Sequence, residues 1–104
     1  MSSILDTFNS QTFAEQLHTK FLVPLKDMEP LALELVEVNE RPSAPNIEQF
    51  SLLFRGPVSP RLVQQIRGLE HEKLGRFELF LTAIAGDQTS TTYEAVFHRF
   101  RKNQ

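Results

Sequence analysis

The sequence predicts a mainly β protein, a six-stranded antiparallel meander closing into a small barrel or half-open sandwich, with one short N-terminal helix. Three observations carry that prediction. Stretches with period-two apolar alternation recur along the chain. Most connections between them are turns too short to hold a crossover helix, which leaves antiparallel pairing as the simple solution. A single helix-start signal lies ahead of the first strand. At 104 residues the chain is expected to form one domain over 1–104 with one core.

The helix is expected over about 12–18. Thr12-Phe13-Ala14-Glu15 fits a capping box in which the Thr hydroxyl and Glu carboxylate satisfy free amides, and Phe13 and Leu17 share one helical face, suited to covering an open end of a sheet. His18 reads as a solvated end-of-helix residue. The β-rich body is expected over about 20–98. Lys20 to Leu25 makes a first strand, with Pro24 suited to an edge or strand end because it donates nothing to a ladder. After a turn over Lys26 to Pro30, Leu31 to Val38 makes a second strand whose apolar phase switches near Leu35 and Val36, the signature of a bulge or strong coiling. Asn39 to Asn46 is rich in breakers and reads as an exposed loop. Gln49 to Arg55 alternates, placing Phe50, Leu52 and Phe54 together, until Gly56-Pro57 stops it.

Leu62 to His71 is ambiguous, because Leu62, Ile66 and Leu69 also fit helical spacing; Gly68 and the strand-like neighbours favour a strand. The clearest hairpin follows. In Gly75 to Ile84, Phe77, Leu79, Leu81 and Ala83 share one face, and Arg76, Glu78, Phe80, Thr82 and Ile84 share the other. Its return arm, Thr92 to Phe97, puts Tyr93, Ala95 and Phe97 together. Between the arms, Gly86 can supply positive φ and Asp87 an Asx turn. His98 and the stretch 99–104 read as a basic tail, with Arg99, Arg101 and Lys102 around Phe100.

Composition narrows the function classes. With 11 Lys+Arg against 13 Asp+Glu, the net charge of -2 offers no electrostatic footprint for nucleic acid. Nine Phe, one Tyr and no Trp supply large apolar volume that core filling explains. The absence of Cys excludes disulfides, thiolate metal sites and cysteine nucleophiles. The N-terminus lacks the basic and apolar regions of a signal peptide, and no stretch approaches the ~20 apolar residues of a membrane span, so a cytoplasmic protein is expected.

No motif specifies a reaction. There is no His-x-x-x-His, no nucleophile elbow and no phosphate-cradling glycine loop, so no catalytic residue, cofactor or metal is assigned. Glu70-His71-Glu72 is the densest set of ligand types, yet adjacent strand residues face opposite ways, so Glu70 and Glu72 share a side that His71 avoids, and His71 reads as a strand-end residue bonded to backbone. Glu34 and Glu94 could meet across strands, although water-facing carboxylates fit equally. The residues singled out as partner-binding candidates are Arg55, Phe80, Ile84, Glu78 and Glu94. Arg55 closes an apolar strand and could bridge to Glu78 or Glu94, either as a structural ion pair or as a partner anchor. Phe80 and Ile84 lie on the mixed face of the central arm: if the sheet closes into a barrel or the helix covers that face they are buried, and if neither happens they form an exposed patch that calls for a partner or a second copy.

Phe50-Ser51-Leu52-Leu53-Phe54-Arg55-Gly56-Pro57, Leu69-Glu70-His71, Leu74-Gly75, Glu78-Leu79-Phe80-Leu81 and Tyr93-Glu94-Ala95-Val96-Phe97 together resemble a family of bacterial β-rich domains of unknown function, about this length, from the capping box to Phe97. The family has a Gly and a Tyr in the strand before Leu69, where this chain has Gln65 and Arg67. The resemblance implies genes beside tail-fibre-like or tail-collar proteins and an accessory role. The expected function is therefore a non-catalytic protein-interaction or assembly module, linked through the resemblance to a phage-tail-like system, with a protein partner or self-association and no nucleic acid or membrane. The alternative is a barrel holding a small ligand in its interior.

Overall fold

A computed structural model describes residues 8–40, 47–59 and 61–100. They form α1 (Ser10–Ala14), β1 (Lys20–Leu25), β2 (Met28–Glu40), β3 (Ile47–Gly56), β4 (Gln65–His71), β5 (Gly75–Gly86) and β6 (Thr91–Phe100). The strands make the expected antiparallel six-stranded structure, closed as a barrel in the order β1-β2-β3-β6-β5-β4. That order is two three-stranded meanders, β1-β2-β3 and β4-β5-β6, rather than one run in chain order. The connection from β3 to β4 crosses an end of the barrel to join them. The ambiguous segment is a strand from Gln65 onward, and Leu62 belongs to the crossing connection.

The helix differs from its expected bounds. It spans Ser10–Ala14, and its N-cap is Asn9, whose side chain accepts from the Thr12 amide at 2.9 Å while the Asn9 amide donates to Thr12 Oγ1 at 3.2 Å. Thr12 is thus the third helical residue of the capping box, not its cap. Asn accepts at an N-cap as well as Ser or Asp does, and here it lies three residues ahead of a hydroxyl that can reach back. The chain then turns through residues 15–18, and His18 takes a left-handed φ of 68°. Its amide donates to the Leu35 carbonyl at 2.7 Å, and the Leu35 amide donates back to Thr19 at 3.2 Å, which ties this corner to β2.

The phase switch in β2 is a register shift against β3 between Leu35 and Glu37. The β1–β2 turn is tighter than expected: β2 begins at Met28, so Met28 to Pro30 lie in the strand, and Asp27 takes the positive φ of 61°. In the β5–β6 loop Asp87 makes the expected Asx turn, accepting from the amides of Thr89 and Ser90 at 2.8 Å each. Gly86 does not supply the positive φ; among the glycines only Gly75 does, at 86°, in the turn from β4. Arg99 and Phe100 lie in β6, paired with Glu48 and Ile47, so the tail starts later than expected. Of the loop expected over Asn39 to Asn46, Asn39 and Glu40 instead end β2, paired with Ser51 and Phe50; 41–46 and the basic residues of 101–104 fall outside the described residues.

Inward positions are filled by side chains. At one end Phe13 is fully buried, with ring centroids 5.5 to 6.1 Å from those of Phe8, Phe50, Phe77 and Phe97. Phe50 and Phe97 stack at 4.5 Å and 9° beneath it. At the other end the buried Tyr93 Oη accepts the Leu62 amide at 2.9 Å, so the crossing connection is pinned to the core. Gly56 is there because of that packing: a Cβ on it would lie 2.6 Å from Leu33 Cδ2 and 3.5 Å from the Tyr93 ring. Helix and connection therefore close the two ends of one apolar interior.

Candidate functional site

Two regions of the outer surface are built differently from the rest, an apolar wall on β4 and β5 and a groove where β4 meets β1, walled by the stems of mostly charged and polar residues. The wall follows from register. With Leu69, Phe77, Leu79 and Leu81 turned inward, their neighbours along each strand must face out. Ile66 and Phe80 are direct cross-strand partners and stand 63% and 48% exposed. Further along β5, the pairing with β6 shifts register between Ala83 and Ala85, and Ile84 at this irregularity is 49% exposed. Val63, before β4, and Val96, on β6, are also largely exposed. The barrel closes without the expected burial of Phe80 and Ile84, because closure encloses the face that holds Phe77, Leu79 and Leu81 and leaves the other outside.

The polar candidates do not form the expected bridges. Arg55 pairs in register with Glu34 on β2 and Thr92 on β6, whereas Glu94 sits opposite Leu53 and Thr82, and Glu78 opposite Gly68 on β4. Arg55 is exposed and makes no ion pair with either: β6 separates its strand from Glu78 on β5, and on the adjacent β6 Glu94 lies two residues along from Thr92, the register partner of Arg55. The same spacing keeps Glu34 and Glu94 apart, with β3 between their strands; Glu34 instead lies 3.2 Å from His18 Nδ1 and 3.8 Å from Lys20 Nζ. Arg55, Glu94 and Ile84 do share the outer surface of β3, β6 and β5, adjoining the Ile66 and Phe80 wall. Ser51 on β3 is buried with its hydroxyl unpartnered, beside a small hollow also lined by Gln49, Glu94 and Val96.

The groove encloses about 600 Å³ and is lined by Glu15, Gln16, Thr19, Lys20, Leu22 and the run Glu70 to Lys73. His71 is buried in its wall, its ring 4.3 Å from that of Phe21. Its Nδ1 accepts the amides of Lys73 and Leu74 at 3.0 and 3.1 Å, the backbone bonding read from its strand-end position. Its Nε2 lies 2.8 Å from Thr19 Oγ1. Burial lowers its pKa below the ordinary histidine value; Glu72 opposes that shift and Lys73 adds to it. Glu70 points the other way along the strand and pairs with Arg76 at 2.5 Å. Among the described residues no three His, Cys, Asp or Glu side chains gather closely enough to hold a metal ion. No helix there is long and apolar enough to cross a membrane.

Sequence reasoning missed Ile66, Val63 and Val96. The signal for Ile66 was present, because once Leu69 is placed inward the period-two rule turns Ile66 outward; its helical spacing with Leu62 and Leu69 masked it. A family model described as a domain of unknown function, DUF6916, matches residues 8–97. No curated protein matches the chain, and no solved structure does.

Proposed function

Since the chain belongs to the DUF6916 family of unknown function, we propose its role from geometry: a non-catalytic protein-interaction or assembly module that docks through the outer wall of β4 and β5. The observation that carries this reading is the exposed cross-strand pair Ile66 and Phe80, continued by Ile84. Covering a large apolar side chain gains about 1.5–3 kcal/mol, so a few such residues with polar neighbours can anchor a partner. Glu78 beside the pair, with Glu94 and Arg55 on the adjoining strands, would set orientation at the rim. In its finer form the module is an accessory part of a phage-tail-like assembly in a bacterial cytoplasm, a reading supported by the sequence resemblance alone. A ligand held in the interior has less support, because Phe13, Tyr93 and Leu33 occupy that space.

The test is native mass and sedimentation of the purified chain, alone and with the product of its neighbouring gene, for the natural sequence and for Phe80→Asp combined with Ile66→Asp. A complex or oligomer that the double variant abolishes, with thermal unfolding unchanged, supports the proposal. A monomer that ignores the neighbour and carries a copurified small molecule overturns it.

A further inference from the structure

The joint that closes the barrel is its weakest. Between β1 and β4 the ladder is the single pair Leu22 and Glu70, whereas β4 and β5 pair continuously from Gln65 with Leu81 to His71 with Gly75. Next to that lone pair the seam is spanned by side chains. An amide can only donate, so the two amides on His71 Nδ1, from Lys73 and Leu74, require that nitrogen to carry a lone pair. The ring proton is then on Nε2 and donates to Thr19 Oγ1, 2.8 Å away, and the Thr19 hydroxyl donates to the Gln16 carbonyl at 2.7 Å. Every polar atom of the relay is used, and only by the neutral ring.

We propose that this relay makes the β1–β4 seam a proton-operated closure, in which neutral His71 holds the corner after α1 onto β4 and the imidazolium releases it. A second ring proton would sit on Nδ1 and face two N–H groups, so the ring must leave the turn to accept it. Removal from water against Phe21 works in the same direction. The charged groups around the ring are mixed: Glu70 on β4, Glu72 and Lys73 in the turn, Lys20 on β1, Glu15 after the helix, and Arg76 on β5, which is bound to Glu70. Glu72 favours the imidazolium and Lys73 opposes it, while burial is the largest influence. A histidine depressed in the folded state leaves the closure intact above its unfolded value, about 6.5. The closure is lost as pH falls through that value toward the lower folded one.

The experiment is NMR on the full chain. At pH 7.5 the ring nitrogens of His71 should report the Nε2–H tautomer, and its titration midpoint should lie below the ordinary histidine value of 6.5. Amide exchange at pH 7.5 and 5.0, corrected for intrinsic rates, should show protection falling on the order of tenfold per unit of depression in β1 near Phe21 and β4 near Leu69. The β3–β6 ladder should hold. In His71→Asn the side-chain carbonyl takes the place of Nδ1 and does not titrate, so seam protection should be equal at the two pH values. The proposal is overturned if His71 titrates at or above the ordinary histidine value, if the acid loss is uniform over the sheet, or if His71→Asn keeps it. Should that variant not fold, the tautomer, the midpoint and the exchange pattern of the natural chain decide.

Discussion

Replacing Phe13 with Ala tests whether α1 is a stopper of the barrel or an appendage resting on it. The ring is fully buried and meets four other phenylalanine rings at 5.5 to 6.1 Å, including Phe50 and Phe97 from two different strands. Truncating such a ring removes its transfer free energy and leaves a cavity, a cost of about 3–5 kcal/mol. A helix of one turn has no stability of its own to hold the site in shape. Against a total of about 5–15 kcal/mol, that loss brings the protein close to unfolding. At roughly 4 °C or more per kcal/mol, Tm should fall by at least about 12 °C. Urea unfolding should show a lower midpoint with an unchanged slope. The matched control is Phe80→Ala, the same chemistry on a ring that is 48% exposed, expected within about 1 kcal/mol of the natural chain. A Phe13→Ala loss below about 1 kcal/mol, or a Phe80→Ala loss equal to it, would refute the reasoning.

Tyr93→Phe removes the acceptor of the Leu62 amide inside the core and should cost about 1–3 kcal/mol by chemical denaturation, with the β3–β4 connection gaining amide exchange first. Gly56→Ala forces a Cβ against the fully buried Leu33 and should destabilise by about 1–3 kcal/mol, whereas Gly68→Ala, where a Cβ meets nothing within 4 Å, should be neutral or stabilising by up to about 1 kcal/mol. Hydrogen bonds from the Thr89 amide, the Thr89 hydroxyl and the Ser90 amide hold the Asp87 carboxyl below its ordinary 3.8. Being depressed, it supports the β5–β6 turn above that value and withdraws the support as pH falls below it. The Thr89 and Ser90 amide shifts should titrate below pH 3.8, and Asp87→Asn should abolish that titration.

What could be read locally was read correctly where the cause is local. Alternation marks a strand because successive side chains point to opposite faces whatever the neighbours are, so the arms around Leu52, Leu79 and Ala95 were visible, as was the bulge at Leu35. Asp87 binds amides two and three residues on, and His71 binds those of its own turn; both bonds close within a few residues and leave a trace in sequence. The cap was misplaced because Asn9 and Thr12 each offer an acceptor, and only the path of the chain decides which amide each meets.

The sequence by itself determined a mainly antiparallel β protein with one short helix, no thiol chemistry and a two-faced central arm. Only the tertiary structure decided that β6 lies between β3 and β5, which separates Arg55 from Glu78, and that β3 lies between β2 and β6, which keeps Glu34 away from Glu94. It alone decided that Ile66 stands beside Phe80, that Phe13 and Tyr93 close the two ends, and that the β1–β4 seam rests on one ladder pair and a histidine relay. The physical reason is separation along the chain. Period and turn chemistry are set by adjacent residues, but strand order is set by which edges meet once all apolar faces compete for one interior, and that competition has no local signature.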